Sequence, residues 1–145
     1  MANSDHTRIG KEFQHLVQQA VSIKYGAEFE EEPAIPIGTP PKDHYFDLAS
    51  KDRSIVAECK RYTWTISGNV PSAKLKGLNE AVFYFGFLPE NTTKLLCMSK
   101  AISPRRQETL AEYYYRCYGH LLEDVHILEI SEDGTLREIT EVDKL

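Results

Sequence analysis

The hydrophobic residues at the start of the chain recur at intervals of three and four positions, as one buried face of an α-helix requires. Gly26 follows the last of them and is typical of the position just after a helix ends. The pattern therefore predicts an amphipathic helix from about Asn3 to Tyr25. Its buried face consists of Ile9, Phe13, Leu16, Val17, Ala20 and Val21.

The segment after this helix has no helical pattern. Residues 27–37 are acidic and predicted to be extended, and the sequence Gly-Thr-Pro-Pro at 38–41 favours a rigid loop because proline disrupts helices. Two runs rich in β-branched and aromatic residues then flank the polar stretch Ser50–Ser54. These runs predict a β-hairpin.

The register of this hairpin decides which side chains share a face. If its loop is centred on Asp52 and Arg53, Asp47 lies opposite Glu58, and Lys60 projects from the same side two positions later. A loop of odd length would shift the register by one residue and separate the two acids. The opposite face is predicted to be core, and it carries Phe46, Leu48, Ile55, Ala57 and Cys59.

The second half of the chain predicts two more helices, a buried strand and a hairpin. One helix begins with Pro71 as its first residue and runs to about Gly86, and a strand covers 93–99. Ser103-Pro104 has the features of an N-cap and first position for a helix through 118, closed by Gly119. The hairpin pairs 124–130 with 135–140, and its turn lies at 133–134. The fold class is α/β, with a mixed sheet flanked by helices in a single domain, 1–145.

Composition agrees with one folded domain. The chain has 145 residues, of which 41% are hydrophobic and 27% charged. No apolar run approaches the roughly 20 residues that cross a bilayer, and the first residues lack the apolar stretch of a signal peptide. We expect a cytoplasmic protein without a membrane partner. Its three cysteines contain no CxxC pair, so we expect reduced thiols rather than disulfides or a thiolate zinc site.

Charge is distributed unevenly along the sequence. The net charge is −5, which gives no reason to expect a nonspecific coat of nucleic acid. Between Lys51 and Lys76, however, six basic residues stand against two acidic ones, while Glu28 and residues 30–32 form a separate acidic segment. The sequence predicts a local basic patch on an acidic protein.

Asp47, Glu58 and Lys60 are the residues most suggestive of chemistry. Two nearby carboxylates suit a hard cation such as Mg²⁺, which relieves their mutual repulsion, while a neighbouring ammonium orients or helps to deprotonate a water. The structural alternative is a solvated ion pair on an exposed strand. Local signatures of nucleotide hydrolysis, dinucleotide binding, serine hydrolysis and zinc proteolysis are missing from the sequence.

The segments FDL at 46–48 and IVAECK at 55–60 resemble the motif of the PD-(D/E)xK nuclease superfamily, which includes restriction endonuclease-like and Holliday junction resolvase-like proteins. Phe46 stands where that motif nominally has proline. The order of predicted elements from Thr7 to Ser99 also resembles the αβββαβ core of this superfamily, to which this chain adds a helix and a hairpin.

The resemblance implies roles for individual residues. Asp47 and Glu58 would ligate Mg²⁺ or Mn²⁺ together with the backbone carbonyl of Cys59, and Lys60 would position the attacking water. Resolvase-like members often add an acid from the first helix, for which Glu12 is the matching candidate. Glu12 could instead simply complement the helix dipole.

Six further residues are candidates for contact with nucleic acid. For the basic ones the alternative is a solvated helix face, for the aromatic ones it is core or dimer packing, and for the histidine it is simple exposure. The candidates are His44, Arg61, Tyr62, Trp64, Lys74 and Lys76. The tyrosines at 113–115 and 118 fit either an oligomer interface or a half-buried helix.

The function expected from these features is hydrolysis of DNA phosphodiester bonds by a metal-dependent nuclease. Its partners would be DNA, a second copy of the chain, and a separate targeting protein, because no DNA-reading domain is evident. The alternative is a noncatalytic module that binds nucleic acid or protein on the same fold. A third interpretation is an enzyme acting on RNA.

Overall fold

A computed structural model describes the backbone of residues 2–140 and the side chains from Thr7 onward. This part of the chain forms three α-helices, one short 3-10 helix and eight strands. The elements are α1 (Ala2–Tyr25), β1 (Phe29–Glu31), β2 (Ala34–Ile37), β3 (Lys42–Tyr45), β4 (Leu48–Ser50), β5 (Ile55–Lys60), α2 (Ser72–Phe85), β6 (Thr93–Ser99), α3 (Leu110–Tyr118), the 3-10 helix (Gly119–Leu121), β7 (Val125–Ile130) and β8 (Leu136–Ile139).

Six strands form one mixed sheet in the order β1-β4-β5-β6-β7-β8. The three central strands β5, β6 and β7 are parallel, and the outer pairings are antiparallel. Strands β2 and β3 pair in a separate small sheet. The predicted α/β class with a mixed sheet and flanking helices is confirmed.

Helices cover both faces of the large sheet, which explains why β5 and β6 are largely apolar. On one face α1 packs against the sheet through Phe13, Val17 and Val21. On the other face α2 and α3 contribute Leu78 and Leu110. Each face therefore has its own hydrophobic core. None of the described helices is long and apolar enough to cross a membrane.

The hairpin register is confirmed, but its first strand is shorter than predicted. Leu48 pairs with Ala57 and Ala49 with Val56, as a loop centred on 52–53 requires. The run 44–50 does not form one strand, because β3 ends at Tyr45 and β4 begins at Leu48. In the gap Phe46 turns to the α2 face and stacks on Phe85, with 5.9 Å between ring centroids. Its predicted place beside Leu48 is therefore wrong.

The third helix begins later than predicted. Thr109, not Ser103, caps it: the Thr109 hydroxyl accepts from the Glu112 N–H, and the Glu112 carboxylate accepts from the Thr109 N–H. The Ser103 hydroxyl instead accepts from the N–H groups of Arg105 and Arg106 and closes a turn. Gly119 has right-handed helical angles and leads into the 3-10 helix rather than closing α3.

The other predicted elements are confirmed with small shifts. Pro71 is the N-cap of α2 rather than its first residue. The buried strand at 93–99 and the C-terminal hairpin form as predicted. Gly26 and Gly134 have φ angles of 60° and 88°, which glycine adopts more readily than other residues.

Candidate active site

Asp47 and Glu58 meet at the carboxyl end of β5. Asp47 lies in the gap between β3 and β4, and Glu58 lies on β5, the strand that pairs with β4. The Asp47 N–H donates to Glu58 Oε1 at 3.0 Å, and the Cys59 N–H donates to Asp47 Oδ2 at 2.7 Å. One oxygen of each carboxylate is thus fixed by the backbone, which leaves Oδ1 of Asp47 and Oε2 of Glu58 to face other ligands.

The environment of this pair disfavours two negative charges. Glu58 is only 9% exposed. Burial and the neighbouring Asp47 raise the pKa of Glu58 to about 8. Burial also raises the pKa of Asp47, although its hydrogen bond from Cys59 and the charge of Lys60 act in the opposite direction. The pair therefore favours either a shared proton or a bound cation.

Lys60 is the cation that the chain itself places beside the pair. Its ammonium lies 4.0 Å from Glu58 Oε2, and its side chain is 25% exposed. Burial alone would lower the pKa of Lys60, but Tyr62, Glu58 and Asp47 outweigh burial and raise it. Lys60 is therefore an ammonium at neutral pH, able to donate hydrogen bonds beside the carboxylates.

The structure adds two residues that sequence reasoning missed. Lys11 of α1 forms a 2.6 Å ion pair with Glu32, and the charges of both act on Asp47. Glu32 follows β1 with a φ of 49°, and its N–H donates to the Asp47 carbonyl. No local sequence pattern predicts a left-handed backbone at this non-glycine residue. The proximity of Glu32 to Asp47 is therefore seen only in the folded chain.

Glu12 does not join the carboxylate pair. It binds Arg8 at 2.7 Å and lines a separate cavity of about 420 Å³ with Arg61 and Lys100. Within the described chain, no group of three or more histidine, cysteine, aspartate or glutamate side chains is assembled for metal binding. Glu12 is thus engaged with Arg8 rather than with Asp47 or Glu58, and its catalytic role stays a prediction.

His44 lies near the site but is held by aromatic rings. It stacks on Tyr84 at 3.9 Å between centroids and meets Phe46 edge to face at 4.6 Å. Burial lowers the pKa of His44, although the carboxylates of Glu80 and Asp47 act to raise it. His44 thus packs against Phe46 and Tyr84 beside the site, and its contact with nucleic acid stays a prediction.

The aromatic candidates after Lys60 pack inward to different degrees. Trp64 is 7% exposed, and its indole N–H donates to the Ala101 carbonyl at 2.8 Å, so it cannot stack on a base as predicted. Tyr62 is half-buried, with Lys74 over its ring at 5.4 Å and Gly77 against its hydroxyl. Lys76 and Arg61 are exposed, as their predicted roles require.

The predicted basic patch is divided between two ends of the sheet. Lys51 and Arg53 lie in the β4–β5 turn, where they pair with Glu28 and Glu30. Of the remaining acids of that segment, Glu32 pairs with Lys11, and Glu31 lies 2.8 Å from the His15 ring. Of the bases in the predicted patch, Lys60 lies beside the carboxylate pair, and Arg61 follows it directly in the chain.

The residues present fit a hard divalent cation. Asp47 and Glu58 offer oxygen ligands with like charges held in contact, and a cation would relieve the repulsion between them. Cys59 is an unsuitable thiolate ligand because burial raises its pKa well above the ordinary value. Its N–H is fixed beside the pair, and ligation through its carbonyl stays a prediction. All three cysteines are free.

The tyrosines of α3 pack within the domain. Tyr114 is fully buried and its hydroxyl donates to Asn79, while the Tyr115 hydroxyl donates to the Thr140 carbonyl. These contacts agree with the half-buried helix, so this cluster gives no support to a dimer interface.

Comparisons with known proteins gave no match to a family model, to a curated protein or to a solved structure. The function is therefore inferred from the geometry of the site.

Proposed function

We propose that this protein is a metal-dependent nuclease that hydrolyses DNA phosphodiester bonds. The observation that carries the proposal is the proximity of Asp47 to the buried Glu58 carboxylate, which accepts from the Asp47 N–H, with the Lys60 ammonium 4.0 Å from Glu58. Two carboxylates and one ammonium at a strand end suit hydrolysis of an anionic ester.

Asp47 and Glu58 would hold the metal through the oxygens that the backbone does not fix. Bound Mg²⁺ or Mn²⁺ would polarise a phosphoryl oxygen and neutralise the charge that develops during displacement. Hydrogen bonds from the backbone orient both carboxylates before any ligand arrives, so little side-chain freedom would be lost on binding.

Lys60 would orient the attacking water and stabilise negative charge on the phosphate. As an ammonium it has three donors and no acceptor, so it acts by hydrogen bonding rather than by taking a proton. The nearby Tyr62 also acts to raise the pKa of Lys60, which keeps it in the ammonium form.

The restriction endonuclease-like core is part of the same proposal. The mixed sheet with α1 on one face and α2 on the other supports it, as does the parallel pairing of β5 with β6 through α2. A DNA duplex as substrate is supported by the exposed bases that follow Lys60.

Cleavage assays test this function. Supercoiled plasmid, linear duplex, single-stranded DNA, single-stranded RNA and a four-way junction would be incubated with Mg²⁺, Mn²⁺ or chelator. We expect metal-dependent cutting of DNA that falls at least about 100-fold in Asp47→Asn and in Lys60→Ala, because each removes a group that touches the reacting atoms.

The control is Lys51→Ala, which removes a lysine at the far end of the sheet and should cut like the wild type. Cutting that survives chelator or both site substitutions would contradict the proposal. Absence of cutting on every substrate would contradict it too, and would favour a noncatalytic binding module.

A further inference from the structure

A second basic surface lies beyond the carboxyl ends of two parallel strands. Lys60 at the end of β5 is in register with Met98 near the end of β6, so Arg61 and Lys100 both follow their strands at the same edge of the sheet. Both line the same cavity. Because parallel strands end at one edge of the sheet, this surface lies at the same edge as Lys60.

Lys100 also lines a larger cavity of about 600 Å³, formed mainly by the loop between β6 and α3. Arg105 and Arg106 of that loop line it as well. We name Arg61, Lys100, Arg105 and Arg106 together the basic edge. Its four residues form a continuous series because Lys100 belongs to both cavities.

The loop that carries Arg105 and Arg106 is held in a fixed shape. The Ser103 N–H donates to the Glu108 carbonyl, and the Ser103 hydroxyl accepts from the next two arginine N–H groups. Gly68, with a φ of 82°, packs so closely that a Cβ there would lie 2.9 Å from Arg105 Cγ. The loop is thus anchored both internally and against the segment that follows Lys60.

The Arg106 guanidinium is oriented by two aromatic rings. It lies 5.6 Å from the Trp64 ring centre and 5.4 Å from that of Tyr113, while its side chain is 46% exposed. One of its nitrogens lies 3.8 Å from Glu108, and a guanidinium held in this way still has further donors for phosphate and less side-chain entropy to lose.

The basic edge differs from the other end of the sheet in how many of its basic side chains form ion pairs with carboxylates. Within the described part of the chain, no carboxylate lies within 4.0 Å of the charged groups of Arg61, Lys100 or Arg105. At the opposite end Lys51 and Arg53 are both engaged with glutamates. Unpaired cations in a row repel one another, and a polyanion would relieve that repulsion.

We propose that the basic edge binds the phosphate backbone of the DNA duplex. The bound duplex would extend from the Asp47–Glu58 pair across the ends of β5 and β6 to the β6–α3 loop. The inference rests on the proposed function for the identity of the polyanion. It adds three residues of the later chain, Lys100, Arg105 and Arg106, to the substrate interface.

Fluorescence anisotropy with a labelled DNA duplex tests this interface, with chelator present so that no cutting occurs. The test variant is Arg61→Ser/Lys100→Ser/Arg105→Ser. The control is Lys24→Ser/Lys51→Ser/Arg53→Ser, which removes the same charge elsewhere. Thermal unfolding of each variant checks that it is folded.

Removing one basic side chain that neutralises a phosphate lowers the slope of log K against log salt by about 0.9. We therefore expect the slope of the test variant to be smaller by about 2 to 3, and its affinity at 0.1 M salt to be at least about tenfold weaker. The control should keep the wild-type slope, and Arg61→Lys/Arg105→Lys should retain most of the affinity because charge is preserved.

The possible results separate this inference from the proposed function. A reduced slope in the test variant, without metal-dependent cutting by the wild type, would support the basic edge and contradict the nuclease. Cutting by the wild type together with an unchanged slope in the test variant would overturn the basic edge and leave the nuclease standing. No binding of duplex by the wild type would overturn the basic edge.

Discussion

Glu58 and Asp47 are held in an arrangement that disfavours their ionised forms in the folded protein. An ordinary glutamate has a pKa of 4.5, whereas that of Glu58 in the folded protein is raised to about 8 by burial and by Asp47. The folded state therefore binds this proton more tightly than the unfolded state. The protonated Glu58 therefore makes its full contribution to the free energy of unfolding below about pH 4.5, and this contribution is lost as the pH rises through about 8.

This linkage predicts that Glu58→Gln stabilises the metal-free protein at pH 8. Each unit of pKa difference corresponds to about 1.4 kcal/mol and the pKa is raised from 4.5 to about 8, so we expect a gain on the order of 3 to 5 kcal/mol at pH 8 and less than about 1 kcal/mol near pH 5. Urea unfolding with chelator at both pH values measures the difference between variant and wild type. Glu28→Gln, an exposed control, should show no such gain, and a Glu58→Gln variant less stable than the wild type at pH 8 would refute the linkage.

Part of the site could be predicted at the level of single residues. Asp47, Glu58 and Lys60 follow from a hairpin register that a short loop determines, so local sequence was sufficient. Lys11 and Glu32 could not be found in this way. Their position depends on the packing of α1 and on the left-handed backbone of Glu32, neither of which has a local signal.

At the level of elements, periodic hydrophobic patterns predicted the helices and strands. Residue types typical of helix ends gave a wrong start for α3. Ser103-Pro104 has the residue types of a helix start, but a turn uses its hydroxyl, and the capping box at Thr109 determines where α3 begins. Similarly, the β-rich run around Phe46 gave no sign that the chain passes from one sheet to another there. The break depends on pairing with β2, which is a tertiary contact.

The contact between the loop after β5 and the loop before α3 is a second feature that only the folded chain reveals. Gly68→Ala should destabilise the protein by about 1 to 3 kcal/mol, because the residue has a φ of 82° and its Cβ would meet the Arg105 side chain. Chemical unfolding measures this effect.

Gly10 provides the matched control for that substitution. It lies within α1, and a Cβ there would meet nothing within 4 Å. Gly10→Ala should therefore stabilise the protein by about 0.5 to 1 kcal/mol through its higher helix propensity. Equal effects of the two substitutions would show that the two loops are not in close contact.

At the level of the whole molecule, the two ends of the parallel strands differ in character. The amino end holds neutralised ion pairs around the β4–β5 turn, and the carboxyl end holds the carboxylate pair and the basic edge. A net charge of −5 therefore conceals a basic surface next to the candidate site. Ligands of open α/β sheets generally bind at the carboxyl ends of the strands, in agreement with this arrangement.

The most direct test of the proposed site is whether the Asp47–Glu58 pair binds a divalent cation, since that result does not depend on finding the right substrate. Calorimetric titration of the intact protein with Mn²⁺ should show binding that weakens at least about tenfold in Asp47→Asn and is unchanged in Glu28→Gln, because only the first variant lacks a carboxylate ligand. Absence of Mn²⁺ binding by the wild type, or binding of equal affinity by Asp47→Asn, would contradict a metal site at this pair.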